Sequence, residues 1–402
     1  MKVAIMGFGV VGSGVAEVLT NNAGVIRENS DVSLELSHIL DIRDFPDNPF
    51  SSYMTKDFND ILHDDDTAIV VETMGGTEPA FTFVSACLRA GKHVVSSNKE
   101  LVANKGYDLL EIARAHNVNF LFEAAVGGGI PIIRPISRCL AGNRISRIAG
   151  ILNGTTNFIL TKMIVEQMSF ADALRLAQEK GYAEKDPTAD VEGIDACRKI
   201  CILASLAFGC HVYPQGVFTE GITKLTLDDV ANAESIGRVI KLIAQTTRLD
   251  NGKISVLVSP ALVKKESLLA GVSGVFNACL VTGDAVGDVL MVGQGAGKEA
   301  TASAVVGDVI DCAANHATRK VFGWGDTKDG LVEDIAAVPA AFLVRAADVD
   351  RAAVADALPG CTFLSDTKDA LLFTTPTLPQ GEILTALENA KATVLSAIRF
   401  FD

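Results

Sequence analysis

The chain of 402 residues is poor in the residue types that most often announce chemistry. It has one tryptophan, four tyrosines and six histidines. His38, His63, His93, His116, His211 and His316 show neither ligand spacing nor a partner acid, so none is read as catalytic. Its eight cysteines stand singly, none in the Cys-x-x-Cys spacing of a zinc or redox site. They read as small buried hydrophobes of a reducing compartment. No apolar run approaches the roughly 20 residues that cross a bilayer. No signal-peptide layout precedes the first strand-like run, which predicts a cytoplasmic protein. Basic charge is also in deficit: the net charge of −14 argues against nucleic acid or an anionic membrane as partner.

Hydrophobic residues are 49% of the chain and charged residues 21%, the balance of a folded protein. The length calls for two or three domains. Over the first 130 residues, apolar runs at 2–6, 33–40, 68–72, 93–96 and 120–122 alternate with helical periodicity at 11–20, 80–90 and 107–116. Strands apolar on both faces between helices predict a doubly wound parallel sheet, a Rossmann architecture. A helix near 299–318 is expected to complete this domain. Residues 131–325 are expected to form an α+β domain for substrate, catalysis and dimerisation. Its helices are expected at 170–179 and 194–208, and strands of a mixed sheet at 271–276, 278–282 and 289–292. The stretch 150–157 carries too many turn-formers to begin a simple helix. Residues 338–402 read as an appended βαββαβ unit of ferredoxin-like order.

Gly7-Phe8-Gly9-Val10-Val11-Gly12 follows a strand and opens a helix. In that context the glycines allow a tight turn, close approach to a pyrophosphate, and close helix packing. The loop therefore predicts a dinucleotide, held partly by the helix N-terminus. The end of the second strand carries both Asp41 and Arg43. An acid there takes the ribose 2′-hydroxyl of NAD; an arginine takes the 2′-phosphate of NADP. Further on, Asp195 and Lys199 are four apart on a predicted helix and should meet on one face.

Several separated motifs resemble the homoserine dehydrogenases. They are Glu72-Thr73-Met74-Gly75-Gly76, Gly91 through Lys99, Glu123 through Ile133, and Leu152-Asn153-Gly154-Thr155-Thr156-Asn157. The strongest runs from Gly181 to Asp195 with Lys199 beyond; Gly295-Ala296-Gly297 and Thr301 through Val305 complete the set. The resemblance implies NAD(P)-dependent interconversion of L-homoserine and aspartate 4-semialdehyde, a step toward threonine, methionine and isoleucine. It gives Lys99 and Lys199 as the lysines around the reacting carbon. Glu184, Asp190 and Asp195 become the acids that hold substrate and orient those lysines. Thr73 and Lys99 join the glycine loop on the cofactor. The backbone at Glu123, Val126, Gly128 and Ile130 becomes a site for Na⁺ or K⁺. The resemblance aligns Arg43 with a 2′-phosphate ligand, which favours NADP over NAD, and it implies a homodimer or homotetramer.

Two departures stand out. Ala300 replaces a usual proline, and Asp348-Val349-Asp350-Arg351 replaces the effector loop of the ACT domain that the C-terminal unit resembles. Scaffolding or oligomer contact is the expected role of that unit. The competing readings are another Rossmann dehydrogenase of amino or sugar substrates, and a catalytically inactive amino-acid sensor. The Gly181–Lys199 segment speaks against the first, and the retained Lys99 and Lys199 against the second.

Overall fold

The computed structural model describes residues 1–367 and 370–401. Two compact units form, one from residues 1–145, 201–215 and 282–328, the other from 146–200, 216–281 and 329–402. Among the described residues no helix is long and apolar enough to cross a membrane.

The first unit is built on six parallel-paired strands: β1 (Lys2–Met6), β2 (Glu35–Leu40), β3 (Met54–Thr55), β4 (Thr67–Glu72), β5 (His93–Ser96) and β6 (Phe120–Leu121). Their order is β3-β2-β1-β4-β5-β6. The order reverses beside β1, and such switch points are where doubly wound sheets bind ligands. Val3, Ile5, Ile69, Val71 and Val95 are fully buried, as expected of strands covered on both faces. One cover is the helix Val10–Asn21; another is the helix Lys298–Ala314, which supplies Ala302, Val305, Val306 and Val309 to the same core. Gly14 makes this packing close, since a Cβ there would lie 2.9–3.1 Å from Lys298 and Ala302. The strand Gly287–Gln294, β12, and the segment after that second helix also belong to this unit.

The second unit holds β7 (Ile145–Ile151), β8 (Phe218–Thr219), β9 (Arg238–Arg248), β10 (Ile254–Lys264) and β11 (Phe276–Gly283). It then adds β13 (Pro339–Ala340), β14 (Phe342–Ala347), β15 (Thr362–Asp366), β16 (Leu371–Thr374), β17 (Leu378–Pro379) and β18 (Thr393–Phe401). Its mixed sheet runs β11-β7-β9-β10-β18-β14-β16-β15. β9 and β10 make a long antiparallel hairpin with Arg248 opposite Ile254 and Arg238 opposite Lys264. β14 to β18, with helices Arg351–Ala357 and Gln380–Asn389, form the βαββαβ unit around Val344, Val354, Phe373 and Ile383. It is not detached: β18 pairs in parallel with β10, Ala261 to Val263 against Arg399 to Phe401.

Several expected elements differ. Residues 271–275 form no strand, with Gly274 in a turn at φ +66°, and β11 begins only at Phe276. The helix expected at 107–116 begins at Lys99, where Asn98 caps it. The turn-formers of 150–157 do start a helix, Gly154–Glu166, because Asn153 is its N-cap rather than a turn residue.

Candidate active site

The glycine loop is shaped by backbone contact. The Gly7 N–H donates to the Leu40 carbonyl at 2.8 Å, and Gly7 adopts φ +98°. A Cβ on Gly12 would lie 1.9 Å from the Gly7 oxygen, so no larger residue fits there. Around Gly9, the N-cap of the helix that starts Val10-Val11, a Cβ would meet nothing within 4 Å. The loop is thus tight on one side and open at Gly9, where the first turn of a helix leaves N–H groups without intrahelical partners. Thr73 braces it, its hydroxyl donating to the Gly7 carbonyl at 2.8 Å.

Asp41 and Arg43 are partners rather than alternatives. Sequence sets them against each other as markers of NAD and NADP, yet one Asp41 carboxylate serves both the loop and the arginine. Asp41 accepts the Phe8 N–H at 2.7 Å, the Arg43 N–H at 3.0 Å, and the guanidinium at 2.9 and 2.8 Å. The Arg43 hydrogen bonds hold the Asp41 carboxyl far below the usual carboxylate range. The Asp41 side chain is 7% exposed and that of Arg43 58%. The acid is therefore turned inward while the guanidinium stays at the rim, lying over the Phe45 ring. Lys56, paired with Asp44, lines a surface pocket together with Asp41, Arg43 and Phe45.

At the far end of β4, Glu72 is fully buried. It accepts the Ser96 hydroxyl at 2.6 Å, the Met74 N–H at 2.8 Å and the Asn98 amide at 3.3 Å. Burial raises its carboxyl pKa against the pull of these donors. Asn98 also caps the helix Lys99–Ala115 and donates to the Gly76 carbonyl at 2.7 Å. Glu72 therefore ties the ends of β4 and β5 together and sets where Lys99 leaves the sheet. Sequence had offered a signal, an acid closing an otherwise apolar strand, but no role.

In the second unit, Lys199 and Asp195 meet at 2.7 Å with side chains 9% and 5% exposed. This pair is no surface i,i+4 bridge. Lys199 also donates to the Leu152 carbonyl at 2.8 Å. Asn153 joins the group, its amide donating to Asp190 at 2.7 Å and to Asp195 at 3.0 Å. Its oxygen accepts the Thr156 N–H at 2.9 Å and so caps the following helix. Glu184 is exposed, and no hydrogen bond or ion pair joins its side chain to this cluster among the described residues. The Gln178 amide instead donates to its backbone carbonyl.

Glu123 opens the loop containing Val126, Gly128 and Ile130. Its carboxylate accepts three successive N–H groups, Ile132 at 2.6 Å, Ile133 at 2.7 Å and Arg134 at 2.7 Å. Its own N–H donates to Asp308 at 2.8 Å. Burial pushes the Asp308 carboxyl up to about 7. Gly128 (φ +57°) lies so near Gly295 that a Cβ would sit 2.4 Å from that carbonyl oxygen. With its side chain engaged, Glu123 can offer a cation only its carbonyl. Among the described residues no group of three His, Cys, Asp or Glu side chains could hold a metal ion.

A switch-point glycine loop in one unit and a buried Lys–Asp pair in the other define a dinucleotide-dependent dehydrogenase. Comparison with known proteins narrows this class. Residues 7–123 match the family model of the homoserine dehydrogenase NAD binding domain, and residues 131–310 that of homoserine dehydrogenase. The chain is 45% identical to the homoserine dehydrogenase of Synechocystis over 316 residues, which are 77% of this chain and 73% of the relative. A crystal structure of the enzyme from Thiobacillus denitrificans superimposes with a TM-score of 0.91 at 35% identity, covering 100% of this chain and 98% of that one. A hyperthermophilic archaeal homoserine dehydrogenase, solved in complex with NADPH, gives a TM-score of 0.66 at 29% identity, covering 80% of this chain and 99% of that one. The chain belongs to the homoserine dehydrogenase family, oxidoreductases that act on CH–OH with NAD(P).

Proposed function

We propose that the second unit carries the proton chemistry of homoserine oxidation on Lys199, and that the cofactor is NADP. The buried Lys199–Asp195 pair is the observation that supports the first part. A nicotinamide cofactor, when bound, accepts the hydride from the alcohol carbon or returns it to the aldehyde carbon. In oxidation, Lys199 in its neutral form takes the hydroxyl proton; in reduction its ammonium polarises the carbonyl and gives the proton to the oxygen. Asp195 orients Lys199 and balances its charge. Lys99 bridges substrate and cofactor. Asp190 and Glu184 attract the α-ammonium of the amino acid; the exposed Glu184 suits an outer rather than an enclosed contact.

For the cofactor, Arg43 is pre-aligned by Asp41 and remains accessible, which suits a 2′-phosphate. The archaeal relative with NADPH in its complex supports the same choice. A monovalent cation fits the loop at Glu123, Val126, Gly128 and Ile130, where neutral carbonyl oxygens are the donors on offer. It would fasten the loop and take no part in proton transfer. The C-terminal βαββαβ unit acts as scaffold, a reading supported by its pairing with β10.

The experiment is direct. Purified protein given L-homoserine should reduce NADP⁺ faster than NAD⁺, followed by nicotinamide absorbance. Lys199→Ala should cut turnover by about 1000-fold or more while leaving NADPH affinity unchanged. Full turnover by that variant would overturn the assignment of the proton to Lys199.

A further inference from the structure

We propose that Asn153 is a positioning residue for the reaction: one amide nitrogen, shared between Asp190 and Asp195, fixes the carboxylate that holds the Lys199 ammonium. The inference rests on the reading of Lys199 as the proton carrier and adds a residue to which that reading gives no role.

The argument is geometric. Asn153 is buried, with 5% of its surface exposed. Its oxygen faces the N–H of Thr156 at 2.9 Å and the Thr156 hydroxyl at 3.1 Å. Its nitrogen faces Asp190 Oδ1 at 2.7 Å and Asp195 Oδ2 at 3.0 Å. Turning the amide over would set an oxygen against two carboxylates and a nitrogen against an N–H donor. Both ends therefore select the same orientation. The Oδ2 atom that accepts from Asn153 also accepts from Lys199 at 2.7 Å. Without the amide, Asp190 and Asp195 would face each other with less to separate their charges. Asp195 Oδ2 would also face Lys199 with one competing donor fewer. The cap supplies the anchor: Asn153 is the N-cap of the helix Gly154–Glu166, so the Thr156 N–H fixes its side-chain oxygen and with it the direction of the bridging nitrogen.

Lys199 meets Asp195 on its own helix and the Leu152 carbonyl at the end of β7, and Asn153 links that Asp195 to Asp190 on the short helix Thr188–Val191. Loss of the amide therefore strengthens the acidic field on the ammonium. Lys199 then loses its proton less readily.

Asn153→Asp and Asn153→Ser separate positioning from capping, since both keep a helix-capping oxygen and lose the bridging nitrogen. Each should melt within a few degrees of the wild-type chain and bind NADPH with wild-type affinity. In homoserine oxidation, kcat should fall about tenfold in Asn153→Ser and about 100-fold in Asn153→Asp. The acid limb of the kcat profile should move to higher pH, further in Asn153→Asp, where a third carboxylate joins the group. An unmoved limb in both variants would overturn the proposal, whatever happens to stability. Lys199→Ala run beside them distinguishes the two failures. If it is dead while the limb stays put, only the role of Asn153 falls; if it is active, the Lys199 reading falls first.

Discussion

In the first unit Asp41, Glu72 and Glu123 each accept backbone N–H groups, from Phe8, from Met74, and from Ile132, Ile133 and Arg134. In the second unit Asp190 and Asp195 accept from side chains, the amide of Asn153 and the ammonium of Lys199. The difference matches what each unit has to do. A carboxylate bound to backbone freezes a loop, which a pyrophosphate or ribose site requires. A carboxylate bound to a lysine leaves a proton that can be moved, which the mechanism proposed above requires. Carboxylates build a mould in one place and, under that proposal, hold the proton carrier in the other.

Breaking that comparison begins with the mould. Glu123→Gln leaves at least one of three buried N–H groups without an acceptor and removes the negative charge. The expected loss is about 3 kcal/mol in urea unfolding, and a loss below about 1 kcal/mol would mean the loop does not need the carboxylate. The titrating side is sharpened by Lys241, a buried lysine of β9 that donates to the Val272 carbonyl and to Asn157. Burial lowers its pKa from 10.5 to about 8, so between those values the unfolded chain binds more protons than the folded one. Stability from this group is present above pH 10.5 and lost as pH falls through about 8. Wild-type stability should thus rise by about 2 kcal/mol more than that of Lys241→Met between pH 8 and 10, and parallel curves would refute the coupling. The smallest effect lies at the rim. Arg43→Ala should weaken NADP⁺ about tenfold in a fluorescence titration and leave NAD⁺ nearly unchanged. Equal weakening of both would show that Arg43 only supports Asp41.

The first unit was legible because its strands are short, buried on both faces and separated by helices, and its glycines sit where backbone meets backbone. The hairpin of β9 and β10 was not seen. Almost every residue of β10 is buried, whatever its polarity, so Ser255 and Ser259 interrupt the apolar run without marking a solvent face. Lys241 hides the core position it occupies in β9. The spacing of Asp195 and Lys199 predicts their contact, yet nothing local reveals Asn153, whose partners lie 37 and 42 residues away. Asn-Gly suggests a turn; only the fold turns that asparagine into a cap and a bridge. The pairing of Asp41 with Arg43 was equally hidden, since two residues of opposite charge at a strand end look like rivals for one ligand.

The parallel pairing of β18 with β10 bears on how this chain can be shortened. One β10 edge is matched by β8 only at Leu257 and Val258, and further along by β18 at Ala261 to Val263. Cutting the chain ahead of β13 would not detach a module. It would uncover backbone donors and acceptors along an apolar strand, a ready template for another chain. A truncated version is therefore expected to self-associate before it unfolds, unless a new polar or proline residue is placed on that edge.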